Sequence, residues 1–75
     1  MSERVFEEGQ LVRHFKGDYY RVLGLATHSE TKEKLVIYER VHDDTVWVRP
    51  YDMFMSEVDH EKYPDAEQKY RFEAV

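Results

Sequence analysis

The chain has 75 residues, no cysteine and a formal net charge of −5, so it makes one small domain at most, and disulfides, thiolate metal sites and thiol catalysis are excluded. A chain this short buries only roughly 60% of the surface its unfolded form exposes. Its longest apolar stretch, Val22-Leu23-Gly24-Leu25-Ala26, is far below the roughly 20 residues of a membrane-spanning helix. The start, Met1-Ser2-Glu3-Arg4, lacks the apolar region of a secretory signal. Together these features predict a cytoplasmic protein in a reducing setting, with no membrane partner. The negative charge sits at the two ends, because residues 1–8 and 55–75 are acidic on balance while the block between them is neutral.

Gly9 opens the first run, Gln10-Leu11-Val12-Arg13-His14-Phe15, which mixes apolar and polar residues as an edge strand does. Lys16-Gly17-Asp18 predicts a turn, with Gly17 supplying a positive φ and Asp18 a local hydrogen-bond acceptor. Tyr19 to Thr27 reads as a long central strand rich in aromatic and aliphatic residues. The polar stretch His28-Ser29-Glu30-Thr31-Lys32-Glu33-Lys34 is a hairpin loop, and Leu35 to Val41 is a third strand. Asp43-Asp44 has the spacing of a two-residue turn before a fourth strand, Thr45 to Arg49. Pro50 ends that strand and favours a short helical turn over Tyr51-Asp52-Met53-Phe54-Met55, anchored by Met53 and Phe54. The charged residues 59–68 read as a loop with room for one helical turn after Pro64. Tyr70 to Val75 alternates as a half-buried closing strand.

Five strands with short turns and a helical turn before the last predict an all-β fold, a small five-stranded SH3-like barrel whose closure protects the strand edges. The whole chain, 1–75, forms one such domain, with a core block at 9–58 and a closing strand at 70–75. Turns centred near Thr31-Lys32 and between Asp43 and Asp44 place Val22, Gly24, Ala26, Leu35, Ile37, Val41, Val46 and Val48 on one face, the expected core. The opposite face collects Leu23, Leu25, Val36, Tyr38, Arg40, Trp47 and Arg49, with Tyr38 between Leu25 and Arg49 and Arg40 beside Trp47. Glu39 falls on the core face in this register, which requires a buried partner, an edge location or a different pairing.

Gly9, His14-Phe15-Lys16-Gly17, Tyr20, Val22, His28-Ser29-Glu30-Thr31, Val36, Tyr38, Trp47-Val48-Arg49-Pro50 and Phe54 occur in an order that resembles the small bacterial family known as domain of unknown function sixteen fifty-three. The resemblance runs through about residues 9–58, and Tyr70-Arg71-Phe72 is similar to the family's closing segment. It implies a small SH3-like β-barrel and brings no established activity with it. The chain departs from the pattern between Val58 and Lys69, where the resemblance implies a shorter, glycine-containing turn.

His14, His28, His42 and His60 show no i,i+4 pair and have no cysteine to complete a zinc set, so no metal and no cofactor is expected. His28-Ser29-Glu30 is turn chemistry, because consecutive hairpin residues point in different directions and a catalytic triad needs convergence. Arg13, His14, Lys16 and Arg21, interleaved with Phe15, Tyr19 and Tyr20, would suit single-stranded nucleic acid, but the acidic net charge disfavours it. Tyr38, Trp47, Arg49 and Arg40 have the residue types of a binding hot spot, and a guanidinium beside an aromatic ring can read a carboxylate, a phosphate or a peptide backbone. Against this, Trp47 could instead pack under the Met53-Phe54 turn, with Arg49 paired to Glu30 or Asp52.

The leading reading is a non-enzymatic interaction module, with Tyr38, Trp47, Arg49, Arg40, His14, Lys16, His28 and Glu30 as candidate ligand-binding residues and no catalytic residue. Its first expected partner is a protein or peptide. The alternative is a small-molecule pocket or an unrecognised enzyme in which His14, His28, Glu30 and Arg49 converge at one end of the barrel. A homodimer through the exposed apolar face is a third reading. Whether Tyr38 and Trp47 share one exposed surface with Arg49 separates an interface from a core.

Overall fold

The computed structural model describes residues 6–75; the charged start, Met1-Ser2-Glu3-Arg4, lies outside the described residues. Five strands form in chain order: β1 (Leu11–His14), β2 (Tyr19–Thr27), β3 (Lys34–Arg40), β4 (Val46–Pro50) and β5 (Phe72–Ala74), with a one-turn helix α1 (Tyr51–Phe54) directly after β4. They make one antiparallel sheet in the order β4-β3-β2-β1-β5. The chain therefore runs as a meander, and its last strand returns to lie beside the first. β4 and β5 are the two ends of that order.

Local chemistry explains each connection. The first turn spans Phe15–Gly17: His14 donates its N–H to the Asp18 carbonyl at 2.8 Å, and Gly17 takes φ of 110°, a conformation that glycine adopts without a Cβ clash. The next two turns share one design. His28 N–H to Glu33 carbonyl closes four loop residues, and Arg40 N–H to Thr45 carbonyl closes four more, each at 2.8 Å. In both, the last loop residue is left-handed, Lys32 at φ 64° and Asp44 at φ 58°. The two-residue Asp43-Asp44 turn is therefore replaced by a four-residue loop, Val41 to Asp44. With four residues in the loop, the pairing of β3 with β4 shifts by two: Tyr38 faces Trp47 and Val36 faces Arg49.

A shift of two keeps the residues of β3 and β4 on their expected faces, so those groupings survive while the inside and outside are exchanged. Val36 and Tyr38 are buried, whereas Val41, Val46 and Val48, expected in the core, are exposed. Two features decide which face is inside. An irregularity between Val22 and Gly24 takes up Leu23 as a bulge and turns the first half of β2 over, so Val22 faces Tyr38. Phe54 from α1 and Phe72 from β5 then cover that same face, completing a core of Val12, Val22, Val36, Tyr38, Phe54 and Phe72. Their rings stack at 4.1 Å and 8°. Met53 is exposed and Phe54 anchors the helical turn, with Tyr51 and Met55 partly buried against the same core. Exchanging the faces also accounts for Glu39, which lies directly opposite Arg21 on the outer face and pairs with it at 3.2 Å.

One consequence is measurable. Val48 is 58% exposed on the outer face of β4, so Val48→Ala should change stability by under about 0.5 kcal/mol in chemical denaturation, the range for surface positions. A loss of 2 kcal/mol or more would return Val48 to the core.

Residues 59–68 form an ordered excursion without a helix after Pro64, where the chain makes only a turn. Its base is pinned by Val58 N–H to the Lys69 carbonyl and Arg71 N–H to the Ser56 carbonyl, both at 2.9 Å. Its interior is held by the buried Gln68 side chain, which donates to the Arg13 and Tyr70 carbonyls and accepts from the Arg13 guanidinium at 3.1 Å. Asp59 caps the first turn by accepting from the Glu61 and Lys62 N–H groups. The loop is thereby placed against the β1–β2 turn, and Tyr63 meets Phe15 with ring centroids 5.0 Å apart.

Candidate functional site

Where this loop meets the sheet it leaves a cavity of about 410 Å³, lined by His14, Phe15, Lys16, Arg49, Asp59, Lys62, Tyr63 and Arg71. Four cations from four different parts of the chain thus meet around one opening: Lys16 from the first turn, Arg49 from β4, Lys62 from the loop and Arg71 just before β5. Ion pairs among the described residues are Arg21–Glu39 and Arg40–Asp43, neither of them here. The one carboxylate at the cavity, Asp59, accepts two backbone N–H groups of its own turn through Oδ1.

The cations are held by neutral groups instead. Arg49 donates its Nε–H to the Tyr38 hydroxyl at 3.2 Å, and its guanidinium lies 6.0 Å from the Phe72 ring centroid. The Nε–H of Arg71 is donated to the Ser56 hydroxyl at 3.4 Å. Lys16 and Lys62 stand 5.1 and 5.5 Å from the Tyr63 ring centroid. These contacts fix the geometry and leave four cations against one carboxylate, an arrangement whose chemistry suits an anion.

His14 registers the same field. Its pKa is lowered to about 4 by burial first, then by the charges of Arg71, Arg49 and Lys16, with Asp18 pulling weakly the other way. Its Nδ1 accepts the Lys16 backbone N–H at 3.1 Å, which places the neutral ring's proton on Nε2. The ring packs on Phe72 at 5.0 Å, so core and cavity share a wall.

The folded pKa of His14 lies below the ordinary 6.5, so between pH 6.5 and 4 the unfolded chain takes up a proton that the folded chain refuses. His14's contribution is therefore complete above pH 6.5 and declines as the pH falls toward 4. The full gap corresponds to about 3 kcal/mol, and solvent access to the ring reduces this to about 1–2 kcal/mol. Urea unfolding at pH 7 and pH 4.5 should show that extra loss in the native chain relative to His14→Gln. Equal losses in both would contradict it.

The other sequence-derived candidates lie elsewhere. Tyr38 is 3% exposed and Trp47 45%, so the two are not one surface: Tyr38 supports the cavity from the core through Arg49, and Trp47 stands at the β4 edge. There Trp47 donates Nε1–H to the Thr45 hydroxyl at 2.8 Å, and the Arg40 guanidinium lies 5.9 Å from its ring centroid. Trp47 is not packed under the helical turn. His28 Nδ1 accepts the N–H groups of Glu30 and Thr31 within the β2–β3 loop, and neither His28 nor Glu30 lines the cavity. The convergence of His14, His28, Glu30 and Arg49 is thus not formed, because two of them are used to build a turn at the far end of β2. Arg71, Lys62, Asp59 and Tyr63 were missed as site residues. The surplus acidity of residues 55–75 conceals that the bases Lys62 and Arg71 line the cavity while, of the carboxylates of that segment, only Asp59 does.

Among the described residues no group of three His, Cys, Asp or Glu could hold a metal, and no helix is long and apolar enough to cross a membrane. Fold and site together define a small all-β domain with a cationic cavity between its sheet and a C-terminal loop. The chain matches the family described as "Protein of unknown function (DUF1653)" over residues 10–74, and it belongs to that family. Among curated proteins and among solved structures, nothing matches.

Proposed function

We propose that this chain is a non-enzymatic binding module that captures an anionic group of its partner, a phosphate or a carboxylate, in the cavity between the β1–β2 turn and the loop at 59–68. The observation that carries this reading is the set of four cations, Lys16, Arg49, Lys62 and Arg71, around one opening with no salt bridge among the described residues to neutralise them. The cost of bringing like charges together is recovered when an anion enters. A cavity of about 410 Å³ is within the range of small-ligand sites and receives one group, not an extended flat partner.

Catalysis has less support. Acid–base chemistry needs a proton acceptor and donor matched to a substrate, and His14 has its Nδ1 engaged by backbone with no carboxylate among its hydrogen-bond partners. Titration of the protein with inorganic phosphate, followed by backbone amide shifts, should move His14, Lys16, Arg49, Lys62 and Arg71 together and saturate. Shifts scattered over the surface, or centred on Trp47, would reject the pocket.

A further inference from the structure

The cationic cavity does not end at Tyr63. A second cavity of about 320 Å³ shares Phe15, Lys16, Lys62 and Tyr63 with it and is otherwise lined by Pro64, Asp65 and Ala66. One compartment is thus strongly positive, and the next offers two aromatic rings, a proline and an alanine with a single acceptor carboxylate. Resting on the anion-binding reading above, we infer that the paired cavities form a site for a nucleoside monophosphate, with the phosphate among Lys16, Arg49, Lys62 and Arg71 and the base against Phe15, Tyr63 and Pro64.

Three observations favour this ligand class. Four cations against Asp59 suit a phosphate monoester, which carries close to two charges at neutral pH, better than a carboxylate with one. The two guanidiniums supply the forked donors that phosphate oxygens accept. The neighbouring compartment combines an aromatic platform with Asp65, and a carboxylate there accepts the N–H groups that an amino-bearing base presents on its edge. Stacking on an aromatic ring supplies sequence-tolerant affinity. The acidic chain, net −5, repels a long polyanion far more than it repels a single nucleotide.

Calorimetric titration of the full chain with guanosine monophosphate, guanosine, phenyl phosphate and inorganic phosphate tests this. Guanosine monophosphate should bind at least about tenfold tighter than inorganic phosphate, the gain of one stacked base, and tighter than phenyl phosphate. Asp65→Asn, at an exposed position, should remove much of that gain while leaving inorganic phosphate binding unchanged. If inorganic phosphate binds and the nucleotide gains nothing, or phenyl phosphate binds equally well, the base subsite is refuted while the anion pocket stands. If none of the phosphates binds, the anion pocket itself is refuted. Binding of guanosine without phosphate, as tight as the nucleotide, would also overturn the assignment.

Discussion

Phe72→Ala should strongly destabilise this protein. The Phe72 side chain is 1% exposed and stacks on Phe54, and it meets Tyr20, Tyr38 and His14 edge-on at 5.0–5.6 Å. Truncation of a buried phenylalanine costs about 3–5 kcal/mol through lost transfer energy and the cavity left behind. A domain of this size has about 4–11 kcal/mol in total, so the variant loses from about a quarter of its stability to all of it. The expected readout is a melting temperature lower by about 20 °C or a missing transition. Phe72→Leu, which keeps most of the volume, should recover much of the loss. If Phe72→Ala melts within a few degrees of the native chain, the core is not where the sheet places it.

Arg49→Gln should leave the fold intact and remove most of the anion affinity. The glutamine amide can still donate to the Tyr38 hydroxyl that Arg49 now serves, so no buried polar group is orphaned. What disappears is the guanidinium, whose charged hydrogen bonds to a phosphate are worth about 1.5–3 kcal/mol each. Phosphate binding should weaken by about tenfold to a hundredfold, with the salt dependence reduced. An Arg49→Gln variant that binds phosphate as tightly as the native chain would take Arg49 out of the site.

Both expectations depend on the inner face, and that face was only half legible in the sequence. Alternation along β3 and β4 groups Val36, Tyr38, Trp47 and Arg49 correctly on one face, because side-chain period two survives a register shift of two. What alternation lacks is a sign. Both faces of β3 are apolar, and the decision falls to Phe54 and Phe72, which are distant in sequence and arrive from α1 and β5. The bulge at Leu23 has no local signature, and Lys32 and Asp44 take left-handed backbone without the glycine that would have announced a four-residue loop.

The site was legible in part for a similar reason. His14, Lys16 and Arg49 carry residue types that invite suspicion, and they do meet. Lys62 sits in the charged stretch 59–68 that reads as a loop, and Arg71 in the alternating closing strand on the face away from Tyr70 and Phe72, so neither pattern points to a shared site. Their placement at the cavity follows from Gln68 and the two backbone bonds at the loop base, contacts between residues up to 55 positions apart that no local pattern encodes. Trp47 admits two readings in the sequence, a binding residue beside Tyr38 and Arg49 or a core residue under the helical turn, and it is an exposed edge residue beside Arg40 that does not line the cavity.

The cationic cavity is tested most directly by the titration of the His14 ring, followed by NMR with and without sulfate, an anion that keeps both charges over the range required. In the free protein the ring should titrate near pH 4, as burial and the charges of Arg71, Arg49 and Lys16 dictate. With sulfate bound among those cations, the pKa should rise toward the ordinary value, because the anion cancels the field that opposes protonation. A ring that titrates near 6.5 in the free protein and ignores sulfate would contradict both the field and the site.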